Sequence, residues 1–421
     1  WRISEENFFK SSLGGIISDL KIRASYGETG SESGVSAFGY LPGYNWNSGS
    51  AVFDGTYTIG LSPRGLPVTN LSWVTNRTKN IGIDFALLNG KLTGQFDVFQ
   101  RKRTGLPAAR YDVVLPSEVG YSLPNENLNA DAHIGAEGIL NYTGKVGRFN
   151  YSVGVNATIS RQKSLYTYKP RFGNSWDEYR NSSENRWSNI NWGYIAIGQF
   201  QSMEEIENYP INNDGRGNTT HLPGDIKYKD VNKDGIINSM DNVPIGYAQG
   251  ANPYASFGLN SNMSWKGITL AFDFAGGSLQ TYRRRYEAQI PYQSNGSGPW
   301  YLIADVWHQA DPWDDTSPWV AGYYPPIRST NTSHMNFSKS TFWVHNVTYF
   351  RLKNIELGYN LPKSVLNKIG GISNIRVYIN GSNLFSFDNV KKFEIDPEIS
   401  SSSALVYPQA KLINTGFNIT F

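Results

Sequence analysis

Residues 81–98 read Ile-Gly-Ile-Asp-Phe-Ala-Leu-Leu-Asn-Gly-Lys-Leu-Thr-Gly-Gln-Phe-Asp-Val. On an extended chain Ile81, Ile83, Phe85 and Leu87 share one face, with Gly82, Asp84 and Ala86 on the other, the period of two of a half-covered β-strand. Asn89-Gly90 supplies the residue pair best suited to φ > 0 at both central positions, so the chain turns there. Leu92, Gly94, Phe96 and Val98 then alternate against Thr93, Gln95 and Asp97 and return as a second strand.

The same alternation recurs at Leu20–Tyr26, Ala132–Tyr142, Phe149–Ile159, Ala255–Trp265, Ile268–Phe274, Trp343–Tyr359, Ile375–Phe385 and Leu412–Phe421. It predicts an all-β, antiparallel protein of about 10–12 strands. The connections are unequal. Asn89-Gly90, Lys145-Val146-Gly147 and Lys266-Gly267 are tight, whereas roughly 30–54, 103–128, 163–253 and 278–340 are long and rich in Gly, Asn, Ser and aromatics. Tight turns alternating with long loops mark a transmembrane β-barrel, with the long loops extracellular. Loops of this length are uncommon in a compact soluble domain. Pro362 before Lys363–Ile369 and Gly370-Gly371 after it frame one short helix on a tight-turn side.

Composition narrows the function. The 421 residues are 14% aromatic, only 17% charged, and carry 42 Gly. The net charge of +3 is too balanced for an extended basic face, so nucleic acid is not an expected partner. With no Cys there is no disulfide, Cys-ligated zinc or thiol nucleophile in this chain. No apolar run reaches a membrane-helix length, which leaves a membrane β-barrel open. The last residues alternate to the end, with Ile413, Thr415, Phe417, Ile419 and Phe421 on one face. That pattern suits a closing strand whose apolar face meets lipid. Trp1 follows no visible signal peptide, and the expectation is that the chain's beginning lies elsewhere.

Several separated motifs carry a family resemblance: Leu20-Lys21-Ile22-Arg23-Ala24-Ser25-Tyr26-Gly27 with Thr29-Gly30, Asn80 to Asp84 leading into Gly94-Gln95-Phe96-Asp97, and Gly224-Asp225-Ile226-Lys227-Tyr228-Lys229-Asp230 through Asp234-Gly235. Gly246, Asn252-Pro253, Phe257-Gly258, Tyr349 to Pro362, Asn380 to Phe385, Asp396-Pro397-Glu398, Tyr407-Pro408 and terminal Phe421 follow in order. The sequence resembles the C-terminal part of a SusC/RagA-type TonB-dependent outer-membrane transporter of the Bacteroidetes. The resemblance implies that residues 1–421 form the second half of a barrel of about 22 strands. The plug domain, TonB-contacting segment and early strands are then expected outside this sequence, and the first strand is expected to pair with that remaining barrel half. It also implies import of a glycan or peptide under a SusD-like surface lipoprotein, driven by the TonB complex, in contact with outer-membrane lipid and lipopolysaccharide.

Asp230 to Asp241 fits D-x-N-x-D-G with a carboxylate at position 12, a spacing that wraps oxygen ligands around Ca²⁺. The expected ligands are Asp230, Asn232, Asp234, the Ile236 carbonyl and Asp241; Asp241 stands where Glu is usual. A polar Asn/Asp/Gly turn is the plain alternative. Trp300, Trp307, Trp313, Trp319, Tyr323 and Tyr324, with Asp311, Asp314 and Asp315, lie in one long loop and are expected to offer stacking faces and acceptors to a sugar or peptide. The competing reading packs most of these rings onto the loop itself or onto a partner protein. Arg283-Arg284-Arg285 is expected on a solvated rim, or touching lipopolysaccharide phosphates or an acidic substrate. Arg351 and Lys353, alternating with Phe350 and Leu352, are expected to face the lumen. The five His are scattered without H-E-x-x-H spacing, and no catalytic motif is present, so no zinc site and no enzyme are expected. Two other functions stay open: a soluble all-β glycan-binding module or glycoside hydrolase, and a surface receptor without transport.

Overall fold

The computed structural model describes residues 1–12, 15–32, 34, 38–68, 70–110, 112–116, 118, 120–247, 252–292, 296, 298–328, 333–398, 407 and 409–421. Pro408 lies outside the described residues.

Ten long strands carry the architecture: β1 (Ile17–Ser31), β2 (Val74–Leu87), β3 (Leu92–Ala108), β4 (Glu126–Val146), β5 (Phe149–Tyr166), β6 (Ala255–Trp265), β7 (Ile268–Arg283), β8 (Val344–Asn360), β9 (Asn374–Ser382) and β10 (Leu412–Thr420). They follow chain order in one 12-stranded sheet, completed by Arg186–Trp187 beside β5 and Ser386–Asp388 beside β8. The strands run past the apolar stretches that announce them because their loop-side ends are polar on both faces. Lys363–Ile369 is helical, and Gly370 ends it at φ 67°. The β2–β3 turn takes Leu88 to Lys91 rather than two residues, because Leu87 pairs with Leu92.

The chain folds as two compact units, Trp1–Gly138 with Ile159–Ser188, and Ile139–Thr158 with Asn189–Phe421. In the first unit Ile22, Ile83 and Phe96 form one rung across β1, β2 and β3, and Ala24, Ile81 and Val98 the next. These rungs point outward, with Ile81 63% exposed. The opposite face is ionic. Arg23 pairs with Asp84 at 2.9 Å and with Asp97 at 2.7 Å. A Cβ at Gly82 would meet the carboxylate of Asp97 and the guanidinium of Arg23, so glycine gives this ion pair its room over the strand. Further along that face Asp131 binds Arg103 and accepts from Gln162. At the unit's edge, Trp1 exchanges backbone hydrogen bonds with Ile22 on the side of β1 away from β2.

In the second unit Tyr359, Val377 and Phe417 form an outward rung across β8, β9 and β10. Phe417 is 68% exposed. Glu356 and Arg376 pair on the inner face. A register shift at Asp273/Phe274 leaves Lys353 as the extra residue of β8, which brings Arg351 to the same face as Glu356. Arg351 and Lys353 find their partners in the chain itself: Arg351 pairs with Asp396 and Glu398, and Lys353 with Glu398, each at 2.7 Å.

The long connections of the second unit are not structureless. Segments 189–247 and 284–343 build small two-stranded sheets and a core of Ile226, Tyr228, Ile237, Leu302, Tyr324 and Trp343. The expected solvated rim at Arg283-Arg284-Arg285 is corrected at its middle residue. Arg284 is fully buried, its guanidinium 5.1, 4.6 and 4.4 Å from the ring centres of Tyr324, Trp343 and Phe393, and it donates to the Tyr324 hydroxyl at 3.0 Å. Aromatic faces replace water around this charge.

Candidate functional site

Gly224-Asp225 is the organising centre of the loop body. Gly224 takes φ +91°, and a Cβ there would overlap the Trp307 ring, so glycine lets this indole seat on the turn. Asp225 is fully buried. Its Oδ2 accepts from the Leu222 N–H at 2.9 Å, His221 Nδ1 at 3.1 Å and Arg328 Nη2 at 2.6 Å, and its Oδ1 accepts from Asn336 Nδ2 at 2.6 Å. Burial works to raise this carboxyl, but His221, Arg328 and Asn336 outweigh it and hold it below the usual carboxylate range.

His221, Asp225 and His334 together have the composition of a metal site. The hydrogen bonds place protons there instead. Asn213 Oδ1 accepts from the Tyr228 N–H, so its Nδ2 donates both to the Ile226 carbonyl and to His221 Nε2, leaving the His221 proton on Nδ1. His334 Nδ1 accepts from the Asn336 N–H, leaving its proton on Nε2, 3.7 Å from Asp225. Each imidazole therefore aims an N–H where a metal needs a lone pair, and Arg328 already supplies the positive charge. Burial pushes His334 down to about 4. This cluster binds segments 213–228 and 328–336 together.

The Asp230–Asp241 loop follows directly. Lys233 and Gly235 take φ of 63° and 83°, which bends the chain sharply. Asp230 accepts the Lys233 and Gly235 N–H groups at 2.6 and 2.8 Å, and Asp234 accepts that of Ile236 at 2.9 Å. Asn232 Oδ1 accepts from the Asp234 N–H at 3.2 Å. The Ile236 N–H bond, with help from Asn232 and Asn238, holds Asp234 below its ordinary value. Asp241 is fully buried, its two oxygens accepting from Val231 and Asn238 N–H at 2.7 and 2.9 Å. It closes the turn from within, whereas Asp230 is half-buried and Asn232 and Asp234 are exposed.

The six aromatic candidates separate. Trp307 and Tyr324 are 6% and 5% exposed and belong to the packing of the loop body, with Tyr324 stacked on Trp343 at 6.2 Å. Trp319 is half-buried in a ribbon pairing His308–Gln309 with Trp319–Val320. Trp300, Trp313 and Tyr323 are open, at 78%, 95% and 43% exposure. Trp313 sits on a turn in which Asp311 accepts the Trp313 N–H at 3.0 Å and Asp314 that of Thr316 at 2.9 Å. Sequence reading finds these rings but not the His221–Asp225–His334 centre, whose members are spread over more than a hundred residues; the Gly224-Asp225 pair is its one local signal.

No family model matches the sequence. Curated proteins similar over the whole chain include TonB-dependent receptor P26 of Formosa agariphila, 26% identical over an alignment of 449 positions that covers 100% of this chain and 41% of that protein. TonB-dependent receptor SusC of Bacteroides thetaiotaomicron is 27% identical over an alignment of 432 positions, which covers 100% of this chain and 39% of SusC. Among solved structures, the RagAB peptide importer in its open-open state superposes with a TM-score of 0.70 at 20% identity, covering 100% of this chain and 42% of that one. The closed-closed state gives 0.68 at 21%, with the same coverage. The chain thus spans about two-fifths of the length of the relatives it matches. These relatives are receptors and importers, not enzymes. No helix among the described residues is long and apolar enough to cross a membrane, and the outward apolar rungs belong to strands. Likeness in sequence and in fold agree: over its whole length the chain is similar to TonB-dependent receptors, SusC among them, and its fold is that of the matching part of the RagAB peptide importer.

Proposed function

We propose that the whole receptor imports a glycan or peptide across the outer membrane, with this chain as the second part of its barrel wall. In this reading the rest of the receptor supplies the remaining strands, the plug and the TonB contact, and a SusD-like lipoprotein covers the external loops. The observation that carries it is the division of faces: apolar rungs exposed outward, ion pairs inward, and an organised loop body presenting Trp300, Trp313 and Tyr323. A soluble all-β binding module or glycosidase would bury those rungs. Trp300, Trp313 and Tyr323, with half-buried Trp319, are the proposed ligand platform, since open rings stack on sugar C–H faces and on peptide side chains alike. RagAB's description as a peptide importer supports the peptide arm, and the likeness to SusC leaves the glycan arm open.

The test is uptake and surface binding of labelled oligosaccharides and peptides by cells carrying the receptor. Trp300→Ala with Trp313→Ala is expected to weaken binding about tenfold, roughly 1.4 kcal/mol, and collapsing the proton gradient is expected to stop uptake while leaving binding. Unchanged binding in the double variant overturns the platform. Uptake that survives the loss of the gradient overturns TonB-driven import.

We further propose Ca²⁺ in the Asp230–Asp241 loop, held by Asp230, Asn232, Asp234 and the Ile236 carbonyl, with Asp241 organising the turn. Support comes from the sharp bend at Gly235 and the oxygen-only donor set. Its role is to stiffen the loop body. Calcium titration of the purified receptor by calorimetry is expected to show binding that Asp230→Asn abolishes; no heat up to millimolar calcium removes the ion from the account.

A further inference from the structure

The outward face of β5 changes chemistry abruptly at its loop-side end. Ile159 is 49% exposed and belongs to the apolar belt. Arg161 and Lys163 stand on the same face, one and two rungs above it, because Gln162 turns the other way to reach Asp131. The short strand Arg186–Trp187 pairs alongside, with Trp187 opposite Lys163. Trp187 is 40% exposed and its ring is within reach of both cations: the Arg161 guanidinium is 5.5 Å and the Lys163 ammonium 5.8 Å from its centre. Arg161 also donates to the Ser188 carbonyl at 3.2 Å, which fixes its direction.

The border is also seen on β2 and β3. There the rungs above Ile81–Val98 are Lys79–Gln100 and then Arg77–Lys102. Arg77, however, is taken up by Glu28 at 3.0 Å, whereas among the described residues Lys163 meets a ring and no carboxylate. β5 leaves the tight turn at Gly147 and ends at Tyr166 on a long connection, so this border faces the outer leaflet.

We infer that Arg161, Lys163 and Trp187 form a site for the phosphate of an outer-leaflet phospholipid or glycolipid. Two cations one strand-repeat apart can share a single phosphate through charge-assisted hydrogen bonds. The indole beside them stands at the interfacial layer, where aromatic side chains of membrane barrels collect. The acyl chains then run down the apolar strip that begins at Ile159. This continuity of cation, aromatic and aliphatic surface on one strand face selects an amphiphile over free phosphate. The site is separate from the proposed nutrient path, since it lies on the opposite side of the wall from Gln162 and Asp131.

The experiment uses the whole receptor in detergent, titrated with dihexanoyl phosphatidic acid and, separately, with inorganic phosphate. The intact protein is expected to bind the lipid phosphate, the double variant Arg161→Ala with Lys163→Ala about tenfold or more weakly, and Lys163→Arg as the parent does. Inorganic phosphate is expected to bind at least about tenfold more weakly than the lipid. Equal lipid binding by the double variant overturns the site. Equal binding of inorganic phosphate overturns the lipid assignment in favour of a free-anion site. Heat-modifiable gel migration checks each variant's fold, and Lys163→Gln replaces the double variant under the same two criteria if that variant fails to fold.

Discussion

Within the second unit, the strand wall and the loop body bury opposite kinds of side chain. On the wall Val377, Ile379 and Phe417 are 49%, 45% and 68% exposed, while Arg351 is 5% exposed and paired with two carboxylates. In the loop body Phe200, Tyr228 and Trp343 are sealed, and Trp300 and Trp313 stand open. The loop body obeys the rule of soluble proteins and the wall inverts it. An apolar face left open on ten strands is stable only where hydrocarbon replaces water. The contrast separates what holds the protein in the membrane from what shapes its external surface.

The largest way to break the contrast is to disable one region and leave the other standing. Asp225→Ala removes the acceptor of four donors and strands Arg328 without its partner, at a cost of about 3–5 kcal/mol. Limited proteolysis is expected to cut segments 189–247 and 284–343 rapidly while heat-modifiable migration of the barrel persists. The reverse experiment is Phe417→Arg, expected to destabilise insertion by about 2–4 kcal/mol in urea titrations against vesicles, with Asn418→Arg on the inner face costing far less.

Acid sharpens the same division. Native His334 is held to about 4 by burial, against an ordinary 6.5, so the unfolded loop body takes up a proton first. Its contribution is present in full above pH 6.5, is lost as pH falls from there to about 4, and is level below. Asp225, whose carboxyl is lowered, adds its own loss only below the ordinary carboxylate range. Protease protection of the loop body is therefore expected to fall between pH 6.5 and 4 while the wall is unchanged, and His334→Gln is expected to flatten that window. The smallest effect belongs to Trp313→Ala. At 95% exposure the ring supports little, so stability is expected to move within about 0.5 kcal/mol while ligand binding declines.

The wall was legible because alternation is a local property. Ile81 to Val98 displays its faces without reference to anything distant, and Pro362 with Gly370 brackets a helix within a few residues. The loop body was not, because its order comes from long-range contacts: Asn336 meets Asp225, and Gln199 reaches the Tyr323 carbonyl, across more than a hundred residues. Arg284 shows the limit most plainly. Three successive arginines read as a solvated rim, yet the middle one is enclosed by rings from three separate segments. The sequence singled out the six ring candidates, but only the fold separates Trp307 and Tyr324, which pack, from Trp300 and Trp313, which do not.

The central claim is that alternate residues of the last strand face lipid and water. The chain has no Cys of its own, so single cysteines placed from Ile413 to Ile419 can each carry a fluorophore in the whole receptor embedded in vesicles. Labels at Ile413, Phe417 and Ile419 are expected to be quenched by a lipid-borne nitroxide, and those at Asn414, Gly416 and Asn418 by a water-soluble quencher. A strand whose labels at both sets of positions are shielded from the lipid-borne probe would contradict the membrane wall and return these strands to the interior of a soluble sandwich.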